Sequence, residues 1–247
     1  MSVFARLVEQ LADLLQPLFL TSATAAAIVL FTAFVRLAVH PLSRAAARGQ
    51  KANARLAPQV AALRRKHRDN PERQKQALME LYAKEKASPL SGCLPSLLQV
   101  PAFFLLYHLF SSGSIGGEPN ALLSHRLLAA PLGDRWTDAL ASGGVLGDAG
   151  LVYLGLFAVV TAVAVFNYRR TRRQLAAAPA PAPGDVLPGM GAMTKVMPLL
   201  SFATLITVAV VPLAAALYVV TSTTWAAVER VFLYRDMPVA GAMASPL

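Results

Sequence analysis

The chain has 247 residues, 55% of them hydrophobic and only 15% charged, with a mean hydropathy of +0.50. Soluble domains carry about 25% charged residues, so this balance excludes an ordinary water-soluble domain and points to a membrane protein. The net charge is +10, and the single cysteine, Cys93, excludes an intrachain disulfide.

Residues 1–17 carry Arg6, Glu9 and Asp13 and lack the uninterrupted apolar core of a signal peptide. Val3, Phe4, Leu7, Val8, Leu11, Leu14 and Leu15 recur at helical spacing, which predicts a short amphipathic helix on the membrane surface. The alternative is that this segment extends the first span. Residues 18–42 are the first run long enough to cross a bilayer, which takes about 20 apolar residues. A basic block follows in residues 43–88, where twelve Lys and Arg between positions 44 and 86 face four acids, Asp69, Glu72, Glu80 and Glu85. Such a block suits nucleic acid in a soluble protein; in a membrane protein it reads as a cytoplasmic segment, with no specific nucleic acid implied. It divides into two helices around Arg68, Asp69 and Asn70. Asn70 is placed to cap the second and Pro71 to open it. Leu56, Val60 and Leu63 on one arm and Leu78, Leu81 and Tyr82 on the other predict an antiparallel hairpin. Pro58 is expected to kink the first arm or to start a new helix after Ala57.

The second span is residues 89–111, followed by an outer loop at 112–148 and a third span at 149–168. Residues 169–192 form a cytoplasmic loop whose Ala, Pro and Gly content predicts a flexible linker. The last apolar run is too long for one helix. Pro212 divides it into spans at 193–211 and 212–235, with a tight turn at Val211 and Pro212, before a short cytoplasmic tail at 236–247. The basic residues set the orientation. Residues 43–88, Arg169, Arg170, Arg172, Arg173, Lys195, Arg230 and Arg235 belong inside; the loop holding Glu118, Asp134, Asp138 and Asp148 belongs outside. The expected fold is an all-α polytopic membrane protein. It has five transmembrane helices, the N-terminus outside, the C-terminus cytoplasmic and a cytoplasmic helical hairpin between the first and second spans.

Arg36 is the residue with most to explain. An arginine at the centre of a membrane helix costs about 2.5–3.5 kcal/mol, so it either snorkels to the headgroups or faces a wet, protein-lined cavity. Thr32 lies one turn earlier on the same face. Gln99 sits mid-span and needs a partner, in such a cavity or across a helix–helix contact. Tyr218, Thr221, Ser222, Thr223 and Thr224 make the last span unusually polar; Tyr218, Thr221 and Ser222 are the candidates for facing inward, against simple back-bonding to helix carbonyls.

The stretch TAFVRLAVHPL at positions 32–42 and the stretch SPLSGCLPSLLQVPAFFLLYHLF at 88–110 resemble the first and second core spans of the YidC/Oxa/Alb membrane protein insertases. The second follows that family's NPL-x-GCLP-x-x-x-Q-x-P-x-F pattern except at Ser88, where the family has asparagine. The basic hairpin is similar to the family's cytoplasmic hairpin, and VVPLAAALYVVTSTTW at 210–225 is a looser match to the last span. The resemblance implies the short form found in Gram-positive and actinobacterial bacteria, without a large periplasmic domain or a long basic tail. It implies a plasma-membrane insertase and chaperone acting alone or with the Sec translocon, with nascent membrane proteins as substrates. For the basic hairpin the candidate partners are anionic lipid, the ribosome and the incoming chain, against a solvated helix pair with no partner, and the sequence leaves that choice open. The resemblance places Arg36 and Gln99 in a hydrophilic groove, for which Thr32, Tyr218, Thr221 and Ser222 are the further candidates from their own positions, and it places Leu156, Phe157, Val160, Pro212 and Leu213 on an apolar face that touches the incoming helix.

Two readings from other classes stand beside it. One is a small transporter or channel in which Arg36 binds an anionic solute, although no internal repeat is found; the other is a membrane adaptor that docks through the basic hairpin. The sequence holds no HExxH, P-loop, GxSxG or paired Cys/His ligand set. The chain is therefore expected not to be an enzyme and to take no metal or cofactor.

Overall fold

The computed structural model describes residues 2–85, 87, 94–177 and 196–235, and these are mostly helical. Residues 88–93 of the second-span motif, most of the Ala/Pro/Gly loop, Lys195 and the tail at 236–247 lie outside the described residues, as does the side chain of Gln99. In chain order the helices are α1 (Ser2–Phe19), α2 (Ala23–Lys66), α3 (Pro71–Lys84), α4 (Leu94–Ser111), α5 (Trp136–Gly143), α6 (Asp148–Ala177), α7 (Ala203–Val210) and α8 (Leu213–Leu233). By length and composition, two helical stretches among the described residues can cross a membrane, one within Val3–Lys66 and one at Asp148–Ala176; the apolar stretch Met197–Val210 is shorter.

The chain forms two compact units. The first contains Met1–Ala38, Val100–Tyr168 and Leu199–Val228; the second contains Val39–Gln99, Arg169–Pro198 and Glu229–Leu247.

In the first unit, α1 and α2 are separate helices. A single turn of 3-10 helix at Leu20–Ser22, with Leu20 at φ +46°, breaks the axis between them. Ala5, Val8 and Ala12, spaced at three and four residues, turn into the core, while Val3, Phe4, Leu7 and Leu14 stay exposed. The core is built around the first half of α8, where every residue from Leu213 to Val220 is buried. Ala214, Ala215 and Ala216 are small enough for neighbouring helices to approach closely. Ile28 of α2, Leu106, Leu109 and Phe110 of α4, Tyr153 and Val160 of α6 and Val208 of α7 complete the cluster. Val211 and Pro212 separate α7 from α8. Val211 is extended at φ −84°, ψ 157°, and proline has no N–H to continue the ladder.

Residues 112–148 are an ordered cap rather than a bare loop. Strands β1 (Ser114–Ile115) and β2 (Glu118–Pro119) pair antiparallel across Gly116 and Gly117, both at positive φ. Strands β3 (Arg126–Leu127) and β4 (Ala130–Pro131) pair across Leu128, at φ +54°. The cap supplies acceptors to a helix end that would otherwise be orphaned: the Leu213 and Ala214 amides donate to the Asp134 and Leu132 carbonyls at 2.8 and 2.9 Å. The Tyr153 hydroxyl donates to the same Asp134 carbonyl at 2.6 Å. Trp136 packs on Tyr153 and Phe157, with ring centroids 5.6 and 5.3 Å away.

Asn120 ties this cap to α4. Its amide donates to the Leu109 and Ser112 carbonyls, both at 2.9 Å, and its carbonyl oxygen accepts from Leu122 N–H at 3.2 Å. The residue is 8% exposed, so Asn120→Ala strands buried backbone groups and is expected to cost about 2–3 kcal/mol. Thermal unfolding of the purified variant in detergent measures this; an unchanged melting temperature would refute the capping role.

In the second unit, α2 continues without a break past Pro58, so no new helix opens after Ala57. Carrying the helix through forfeits one hydrogen bond, whereas restarting it would orphan several groups on each side of the break. Leu56 is buried and Val60, Leu63, Leu78, Leu81 and Tyr82 are half-buried. Asn70 caps α3 by accepting from Arg73 N–H at 3.0 Å, with Pro71 in the first turn. Gln74 reaches back to the Arg64 carbonyl at 3.3 Å.

Candidate functional site

Arg36 is partly buried on α2 in the first unit. Its Nε donates to Ser222 Oγ on α8 at 2.9 Å, and a terminal guanidinium nitrogen bonds the same oxygen. Ser222 is 2% exposed, so the charge is held at protein depth by a buried hydroxyl. Tyr218, one turn earlier on α8, lies within electrostatic reach of Arg36. Its ring is fixed against Phe103 and Phe110 of α4, with centroids 5.6 and 5.9 Å away. The apolar first half of α8 and the aromatic face of α4 thus position a polar cluster of Arg36, Ser222 and Tyr218.

The other sequence candidates divide. Thr32 is 1% exposed and donates to the Ile28 carbonyl at 2.7 Å, so its hydroxyl is spent within its own helix. Thr223 back-bonds in the same way to Val219 and Val220. Thr221 is half-buried. Val160, Pro212 and Leu213 are buried and Leu156 and Phe157 are partly so, Phe157 against Trp136. Among the large apolar side chains of α6, Leu151, Leu154 and Val159 are exposed.

Three features had escaped the sequence reading. The Thr224 hydroxyl and the Trp225 indole N–H are buried without a hydrogen-bond partner among the described residues. In the second unit, His40 of α2 and Glu229 of α8 form an ion pair when the imidazole is protonated, with Glu229 largely buried. Glu229 interrupts an apolar run much as Arg36 does, and that was a usable signal. A cleft of about 380 Å³ in the first unit is lined by Glu9, Asp13, Gln16, Thr24 and His125, and does not include Arg36.

Residues 17–240 match the 60Kd inner membrane protein family, which takes in every residue of this cluster. The chain belongs to that family. Relatives in it carry the name membrane protein insertase YidC, the family that the second-span motif resembles. The relative from Polynucleobacter asymbioticus is 40% identical over 101 residues, 40% of this chain and 18% of its own length. That from Clostridium perfringens is 40% identical over 84 residues, 34% of this chain and 35% of its own. That from Chloroherpeton thalassium is 32% identical over 139 residues, 56% of this chain and 22% of its own. The matched stretches thus span about a third or less of these relatives.

Proposed function

We propose that this family member is a membrane protein insertase and chaperone that moves hydrophobic segments of nascent proteins into the bilayer. The observation that carries the reading is the Arg36–Ser222 contact: a guanidinium in an apolar helix, anchored to a buried hydroxyl inside the protein. Such a charge is costly in lipid, and it becomes useful when polar or acidic flanks of a passing chain must leave water. The Thr224 and Trp225 groups, without a partner among the described residues of the same unit, support a polar path, since buried polar atoms need partners and a passing polar segment or water supplies them. In this reading Arg36 is the central charge of a hydrophilic groove, with Ser222, Tyr218 and Thr221 beside it. Thr32 stiffens the α2 face that carries the arginine. Five spans, with the N-terminus outside and the basic helices in the cytoplasm, satisfy the charge asymmetry. The Sec translocon and the ribosome are the partners proposed for larger substrates, and anionic lipid is proposed for the basic helices α2 and α3. The names of the relatives support insertion as the activity.

The test is reconstitution of the purified chain in liposomes without any other translocon, with a single-span substrate that has an acidic outer tail. Protease protection of that tail is expected to exceed the level in empty liposomes several-fold. Equal protection in both would refute autonomous insertion and favour a transporter or an adaptor.

A further inference from the structure

The cap of the first unit holds two hairpins with turns of equal length and opposite character. Strands β1 and β2 join through Gly116 and Gly117, with Ser114 and Glu118 beside them, an ordinary turn for water. Strands β3 and β4 join through Leu128 and Ala129, and no residue from Leu127 to Leu132 has a polar side chain. Positive φ in a two-residue turn suits glycine, asparagine or aspartate, yet Leu128 adopts φ +54°. Leu128 is also 69% exposed. The fold therefore gives this side chain little packing to offset its strained backbone.

A lone exposed leucine is ordinary on a protein surface; the place at which this turn is held gives it a partner. The Leu128 N–H donates to Ser22 Oγ at 3.0 Å, and β3 packs against the 3-10 turn Leu20–Ser22. Ser22 is the last residue before α2, whose largely apolar run starts at Ala23. A chain enters hydrocarbon where such a run starts. The Ser22 bond thus holds the Leu128 turn at the level where headgroups meet acyl chains. His125 and Arg126, both exposed, precede the apolar tip. Basic residues behind an apolar tip are the composition of a segment that lies in an anionic interface. Leu20, the other non-glycine residue with positive φ among the described residues, is 73% exposed in the turn that β3 packs against.

We propose that the β3–β4 turn dips into the lipid leaflet at which α2 begins, with Leu128 among the acyl chains and Arg126 at the phosphates. The glycine hairpin of the same cap stays in water. Through Ser22 the dipped turn fixes the depth at which α2 starts, and with it the depth of Arg36, about 21 Å further along the helix at 1.5 Å per residue. The inference rests on α2 crossing a membrane and stands or falls separately from insertion.

The test is fluorescence quenching of the full chain in vesicles of phosphatidylcholine and phosphatidylglycerol. Cys93→Ser removes the native thiol, and a small environment-sensitive label is attached to Leu128→Cys, to Glu118→Cys in the glycine hairpin or to Phe34→Cys on α2, all at exposed positions. The Leu128 and Phe34 labels are expected to be quenched by nitroxide carried on the acyl chains, and to be shielded from iodide severalfold relative to the Glu118 label. Asparagine tolerates positive φ, so Leu128→Asn keeps the turn and removes its apolar tip. With the label moved to Ala129→Cys, also exposed, that substitution is expected to lower nitroxide quenching severalfold. This second pair serves equally if Leu128→Cys does not fold. A Leu128 label as open to iodide as the Glu118 label overturns the proposal, as does unchanged quenching at Ala129 in the asparagine variant. Shielding from iodide without nitroxide quenching overturns it in favour of a protein contact, such as a second copy of the chain. An unquenched Phe34 label removes the span, and the proposal with it, whereas insertion is not read by any of these signals.

Discussion

Arg36→Ala is expected to slow insertion of a substrate with an acidic outer tail by about 30-fold, and to leave a substrate with a neutral tail near the wild-type rate. The asymmetry follows from what the charge can do. A carboxylate at mid-membrane depth costs about 2.5–3.5 kcal/mol. A guanidinium about 4 Å away, at an effective dielectric near 20, attracts it by about 4 kcal/mol. Water and the competing Ser222 hydroxyl reduce that to about 2 kcal/mol, which is about 30-fold in rate. A neutral tail has no such term to lose.

Two further variants separate charge from scaffold. Arg36→Lys keeps the charge but replaces a fork that bonds Ser222 through two nitrogens with a single ammonium, so it is expected to recover most of the rate. Ser222→Ala removes the anchor and leaves the charge, and is expected to cost less than about threefold. The measurement is protease protection over time in proteoliposomes for both substrates. A fall of the same size for acidic and neutral tails would make Arg36 a structural anchor and sink the groove-charge mechanism.

How far the sequence could be read depended on whether the signal was local. Asn70 followed by Pro71 is a short-range helix-start signal, and the structure has Asn70 capping α3 there. Pro212 separates two helices because a proline at that point ends a backbone ladder whatever surrounds it. Pro58 presented the same local signal, yet α2 runs through it, because a decision between carrying on and restarting depends on the ends that a restart would expose. The strands of the cap at 112–148 were not anticipated, since that segment was taken only as an outer loop, although one local sign was present. Gly116 and Gly117 are a hairpin signal, since both carry positive φ. The second hairpin turns on Leu128, a residue type that gives no such sign, and its amide is held by the Ser22 hydroxyl from a distant segment. Arg36 stood out because its cost in lipid is intrinsic to the residue. Its partner was one of several adjacent hydroxyls on α8, and the rotation of that helix about its axis decides that Ser222 meets it while Thr223 back-bonds.

The second large effect is expected at Gly150, in the first turn of α6. A methyl group there would meet the Gly144 carbonyl oxygen, and would lie 2.5 Å from the Val145 carbonyl oxygen and 2.8 Å from its carbon. These are backbone atoms, so no side chain can swing aside to make room. The turn from Gly143 to Gly147 must move, and it joins α6 to α5, which sets Ala139 in the core and begins at the Trp136 that packs against Tyr153. Gly150→Ala is therefore expected to destabilise the first unit by about 2–3 kcal/mol, in the upper range for overpacking. Gly155, five residues further along the same helix, has nothing within 4 Å of the equivalent position. Gly155→Ala is expected to be neutral or to stabilise by up to about 1 kcal/mol, because alanine loses less backbone freedom on forming a helix. Tryptophan fluorescence during heating reads both variants, since Trp136 sits at the joint that must shift. If the two variants melt together, the close approach at the start of α6 does not hold the cap in place, and the acceptors that Leu132 and Asp134 offer to α8 must be positioned by β3 and β4 instead.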